Sequence, residues 1–193
     1  MSILDIDDII TDDTLFIRNW IEKNCEIDGT YTIKNNVVDV DGDVFINQDV
    51  ATIDVQFGEV TGDFYCSYCN SLTSLKGAPE KVGGYFSCNG CIKLKDLKGS
   101  PKEVGGNFSC YECHSLASLQ GAPEVVGGGF YCHCCGNLTS LKGAPKKVGE
   151  YFNCSGCNNL TSLEGSPKEV GGKFYCYDCP NLTSLEGAPK EVN

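Results

Sequence analysis

From residue 64 onward the apolar positions of the chain fall on a strict 22-residue period. Phenylalanine and cysteine alternate with one residue between them at Phe64/Cys66, Phe86/Cys88, Phe108/Cys110, Phe130/Cys132, Phe152/Cys154 and Phe174/Cys176. A second cysteine stands three residues after the first in every unit (Cys69, Cys91, Cys113, Cys135, Cys157, Cys179). Two leucines three apart follow, as at Leu94/Leu97, then Gly-Ala/Ser-Pro and a valine, as at Gly99-Ser100-Pro101 and Val104. Alternation with a period of two makes Phe-x-Cys a short strand with both side chains pointing inward. A fixed period in this range predicts stacked supersecondary units rather than one globular core. The leucines turn the chain and fill the core from the opposite side. The proline and the glycines exclude a regular return helix. The predicted fold class is mostly β: a right-handed solenoid with one short parallel strand per 22-residue repeat and an N-terminal α-helical cap.

The pattern upstream is different. Residues 12–25 read as one amphipathic helix, with Asp12 or Asp13 capping its free amides, and Phe16 with Trp20 and Ile17 with Ile21 as the buried stripe. Gly29 is expected to end it. Residues 31–33, 37–40 and 44–46 read as β structure, the last after an Asp41-Gly42 turn. Val44, Ile46, Val50, Ile53 and Val60 echo the later apolar skeleton at irregular spacing. The chain therefore divides into an acidic N-terminal helical cap (1–36), a degenerate first repeat (37–63) and six regular 22-residue repeats (64–193). A solenoid end needs shielding, which the helix would supply. The last unit is as regular as the others, so its open end is expected to pair with the same end of a second copy, giving a homodimer.

At Phe-x-Cys-x-x-Cys-x-x-Leu-x-x-Leu the unit resembles the leucine-rich repeat. The resemblance puts Phe86 and Cys88 at paired strand positions and Cys91 where a side chain bonds neighbouring backbone. It departs at Gly83, where an apolar residue is expected and Val82 substitutes. The Leu-Thr-Ser-Leu-x-Gly-Ala-Pro-Lys-x-Val-Gly-Gly wording also resembles short-repeat proteins of bacteriophages and some bacteria. It implies a protein-binding scaffold, and in a phage setting an inhibitor of a host defence protein.

Charge changes the picture at the N-terminus. Residues 1–63 hold 15 acidic and 3 basic side chains, and residues 64–193 hold 11 and 12. A nearly neutral repeat array argues against direct nucleic-acid binding. No apolar run reaches the ~20 residues that cross a bilayer, and residues 1–5 lack the basic region of a secretory signal. Fourteen cysteines without an export signal read as reduced thiols in the cytoplasm.

Each chemical motif has a plainer reading. Paired C-x-x-C motifs suggest zinc, but six pairs run in one direction inside Phe and Leu ladders, and a ribbon needs two knuckles folded together. Disulfides between stacked strands would require a sulfur dihedral that an in-register ladder does not offer. Cys110-Tyr111-Glu112-Cys113-His114 spells a haem-attachment string only because His114 occupies a variable position. Asp39-x-Asp41-x-Asp43 lacks the sixth-position glycine and twelfth-position glutamate of a calcium loop. No nucleophile has a partner, so no enzyme, cofactor or metal is expected.

Positions flanking Phe and Cys point outward. They carry Tyr65, Tyr85, Tyr111, Tyr131, His133, Tyr151, Tyr175 and Tyr177 among serines, asparagines and glycines, and seven of the nine tyrosines fall there. Tyrosine occupies only positions that change from unit to unit. Rigid amphipathic rings with small polar neighbours make a protein-binding surface, and these eight residues are the expected contact set. The competing expectation is an acidic decoy, with residues 1–63 mimicking nucleic-acid charge.

Overall fold

The computed structural model describes residues 11–192. It is a parallel β-solenoid of about seven turns, entered through helix α1 (Asp12–Asn24), strand β1 (Cys25–Lys34), strand β2 (Val37–Ile46) and strand β3 (Gln56–Val60). Six regular coils follow. The expected strand is present in each, from Phe64–Tyr65 to Phe174–Tyr175, and pairs in register with its neighbours: Phe64 with Phe86, Phe86 with Phe108, Phe108 with Phe130. Each coil adds a second two-residue strand at the valine after the proline turn. Val82, Val104, Val126, Val148 and Val170 stack in this ladder, which is how Val82 compensates for Gly83.

Period 22 places identical side chains directly above one another, and this builds the core. Phe86, Phe108 and Phe130 stack with centroids 5.1 Å apart and planes within 8°. The phenylalanines, both cysteines and both leucines of coils 64–163 are fully buried. Burying each phenylalanine contributes about 1.5–3 kcal/mol, with about 0.5–1.5 kcal/mol more for each stacked pair. The second cysteine of each coil bonds backbone as its position implied: the Cys91 thiol donates to the Cys66 carbonyl at 3.1 Å, and Cys113 to Cys88 at 3.1 Å. Outside the core, ion pairs such as Glu59–Lys81 (3.1 Å) and Lys147–Glu169 (2.8 Å) join successive coils across the surface. Exposed as they are, they add little stability.

The entry to the solenoid corrects several expectations. Thr11 caps α1, its hydroxyl accepting the Thr14 amide at 3.1 Å, which leaves Asp12 and Asp13 in the first turn facing the positive end of the dipole. Ile17, Trp20 and Ile21 are buried, but Phe16 is 52% exposed. The buried stripe of so short a helix is one residue wide on that side, and Phe16 lies beyond its rim. Gly29 does not end the helix, which passes directly into β1 at Cys25.

Asp41-Gly42 is not a turn either. The hairpin tip is Asn35-Asn36, both left-handed (φ 51° and 63°), the geometry a two-residue hairpin turn demands. β1 and β2 pair antiparallel over ten residues, and Gly42 faces Gly29 across them. β2 then feeds both ladders: Val40 pairs with Val60 of β3, and Val44 with Phe64. The hairpin thus covers the first ladder rungs while α1 plugs the core behind it. The far end has no such cover among the described residues: Leu185 is 67% and Val192 47% exposed.

Candidate interaction surface

The left-handed turn after each first cysteine sets the shape of the outward face. Tyr68, Gly90, Glu112, Cys134, Gly156 and Asp178 occupy the same place in successive coils, and all have φ between 53° and 67°. Two glycines in this column mark a backbone that other residues enter with strain. Gly90 has a second reason: the ring of Tyr68 lies across it, where a Cβ would overlap Cδ1. Tyr68 thereby reaches over one whole coil to share a 2.7 Å hydrogen bond with the hydroxyl of Tyr111.

From there the rings run on. Tyr111 stacks on His133 (4.8 Å, 7°), and Tyr131 meets His133 edge-on at 6.4 Å. Phe45, Tyr65 and Tyr85 form a second group toward the N-terminus, and Tyr151, Tyr175 and Tyr177 a third toward the other end. All eight expected residues therefore lie on one face in three clusters of touching rings. Sequence reasoning missed Tyr68 and Phe45. Tyr68 was legible in principle, because a tyrosine aligned with Gly90 and Gly156 must sit on a left-handed, protruding turn.

The small polar neighbours differ from expectation. Ser87, Asn89, Ser109 and Ser155 point outward but are buried beneath the rings. The Ser109 hydroxyl donates to the side-chain Oδ1 of Asn89 at 2.6 Å, and the same oxygen accepts the Tyr111 amide at 3.1 Å. Asp63 accepts the Tyr85 amide at 2.6 Å and the Tyr65 hydroxyl at 2.7 Å. These groups hold the rings and the coil edge, leaving the tyrosines as the outer layer of this face.

The surroundings of Tyr65 and Tyr111 oppose their ionisation. Burial and the Asp63 carboxylate push the Tyr65 pKa up to about 12, and the bond to Tyr68 does the same for Tyr111. Burial holds the His133 pKa below its usual value, against the weaker upward pull of Glu112. His133 Nδ1 and Ser155 Oγ, in successive coils, are buried without a hydrogen-bond partner among the described residues.

The cysteines form no comparable site. All fourteen are free, and burial raises the pKa of Cys66, Cys110 and Cys132, which keeps them protonated. Among the described residues no three His, Cys, Asp or Glu side chains converge so as to hold an ion, and no helix is long and apolar enough to cross a membrane.

The fold and face together define a 22-residue-repeat β-solenoid with an aromatic surface. No family model, curated protein or solved structure matches the chain.

Proposed function

We propose that the chain is a non-enzymatic binding module that docks a partner protein on its tyrosine face. The observation carrying this reading is the division of labour within the repeat: identical side chains stack inward, while tyrosines at the changing positions gather on one face. Tyrosine gives large contact area at small entropic cost, and exposed Tyr68, Tyr151 and Tyr177 stand at its borders. The likeness of the repeat wording to phage proteins extends the proposal to an inhibitor of a host protein, acting in the cytoplasm, where fourteen free thiols remain reduced.

The acidic-decoy reading has less support. Asp39, Asp43 and Asp63 each accept a backbone amide of the following coil, at 2.6–2.8 Å, and so serve the fold.

The test is affinity capture from host extract with the intact chain and with a Tyr131→Ser/Tyr151→Ser/Tyr177→Ser variant of matched melting temperature. Loss of the same captured protein supports the reading. Retention of it, or loss through 0.5 M salt alone, argues for the acidic segment.

A further inference from the structure

The column of side chains just after each first cysteine reads Ser67, Asn89, Tyr111, His133, Ser155 and Tyr177. Tyr111 stacks on one face of His133 at 4.8 Å, and Tyr131 meets its edge. The next coil continues the column with Ser155, so among the described residues no ring stacks on the other face of His133. Tyr177 resumes the aromatic column one coil later. Two strand spacings, about 9.6 Å, separate the His133 and Tyr177 positions, and one flat group between two rings needs about 7–8 Å. The aromatic column therefore has a gap one planar group wide.

The polar groups at this gap lack a donor. Earlier members of the column are satisfied: Ser67 pairs with Ser87 at 2.6 Å, and Asn89 with Ser109 at 2.6 Å. Ser155 is 3% exposed, and its Oγ is buried without a hydrogen-bond partner among the described residues, as is His133 Nδ1 on the neighbouring coil. A serine hydroxyl and a neutral imidazole nitrogen can both accept.

Charge around the gap has one sign. Beside Tyr111, His133, Ser155 and Tyr177, the left-handed turns carry Glu112, Cys134, Gly156 and Asp178. Neither acid sits in an ion pair among the described residues. Residues 132–141, 154–163 and 176–185 contain no lysine or arginine. Lys173, the one lysine among the positions flanking Phe and Cys, stands four residues before Tyr177, about 13 Å of extended chain.

We propose that the gap receives the guanidinium of a partner arginine, stacked on His133 over Ser155, with His133 Nδ1 and Ser155 Oγ accepting its N–H groups and Asp178 and Glu112 balancing its charge. The proposal rests on the docking of a protein on this face and names the side chain that the partner must present. Arginine fits better than lysine, because its plane stacks on rings and its donors lie in a fixed fork. Tyr151 and Tyr177, exposed at the border, turn aside to admit it.

The chain has two histidines, so imidazole NMR signals of the intact protein report the gap at His133, with His114 as internal control. The probe is a blocked Gly-Arg-Gly peptide, titrated beside the same peptide with citrulline, which keeps the planar shape and loses the charge. The expected result is a saturable shift of His133 with the arginine peptide alone. Glu112→Gln with Asp178→Asn should weaken it about two- to fivefold. Ser155→Tyr should abolish it by filling the gap, since tyrosine already occupies this place in the coils of Tyr111 and Tyr177. Ser155→Ala, which removes only the hydroxyl, should weaken it without filling anything. No saturable shift, equal responses to the two peptides, or undiminished binding in both Ser155 variants would overturn the proposal. So would capture of the partner protein that Ser155→Tyr keeps and the Tyr131→Ser/Tyr151→Ser/Tyr177→Ser variant loses, a result that leaves the docking face standing.

Discussion

Thiols in this chain act as packing groups that also donate a weak hydrogen bond. Cys91, Cys113, Cys135 and Cys157 each bond the carbonyl of the first cysteine one coil back, at 3.1–3.3 Å. Their reactivity should follow access: ten cysteines are buried, Cys25, Cys176 and Cys179 are half-buried, and Cys134 alone is exposed. A thiol reagent added to the native chain should therefore modify one site first, abolished by Cys134→Ser, and reach all fourteen only after denaturation. His133 gives a pH dependence of known sign. Its folded pKa lies below the ordinary value near 6.5, so the unfolded chain takes up the proton more readily. Stability is lost as pH falls through that ordinary value and levels off below the folded one. His133→Phe preserves the stack on Tyr111 without titrating. Urea melts at several pH values should show the parent weakening relative to this variant below about pH 6.5, with parallel curves contradicting the burial of His133.

Within an element, backbone conformation decides more than side-chain preference. The turn glycines at 77, 99, 121, 143, 165 and 187 all have φ between 88° and 93°, and a Cβ on Gly121 would come within 2.6 Å of the Lys98 backbone. Gly121→Ala should cost about 1–3 kcal/mol in a denaturant melt. The Phe-x-Cys strand of this periodic part was legible, since six copies of one pattern leave a single consistent reading, but the second strand at each valine was not, because two residues between proline and glycine carry no alternation to read. The entry hairpin was not, because Asp41-Gly42 is a strong local turn signal. The competing signal was the alternation of Val38, Val40, Val44 and Ile46, which continues unbroken across Gly42 and which the strand obeys. The tyrosine face was legible as a set of positions. Its ring-to-ring contacts, and the burial of Ser87 and Ser109 under them, depend on side chains reaching across coils, which sequence spacing does not encode.

For the molecule as a whole, the ladders join each coil to its neighbours, and the Tyr68–Tyr111 bond reaches one coil further, so stability is close to a sum of coil and interface terms. The two ends differ. The first is closed by α1 and the β1–β2 hairpin, and the last described coil leaves Leu185 and Val192 in solvent beside unpaired strand edges. The proposed self-association uses that end: light scattering at tens of micromolar should give a mass near twice 20.8 kDa, reduced by Leu185→Lys with Val192→Lys. A monomer at that concentration would remove the dimer and leave the tyrosine face untouched. The central claim is that the periodic residues hold the coil while the tyrosines that break the period serve a partner. Thermal and urea melts of Phe108→Ala beside Tyr151→Ser/Tyr177→Ser test it most directly. Phe108, fully buried between two stacked rings, should cost about 3–5 kcal/mol, and the exposed tyrosine pair should cost less than about 1 kcal/mol. Equal losses from the two variants would contradict the account, because the tyrosines would then belong to the fold.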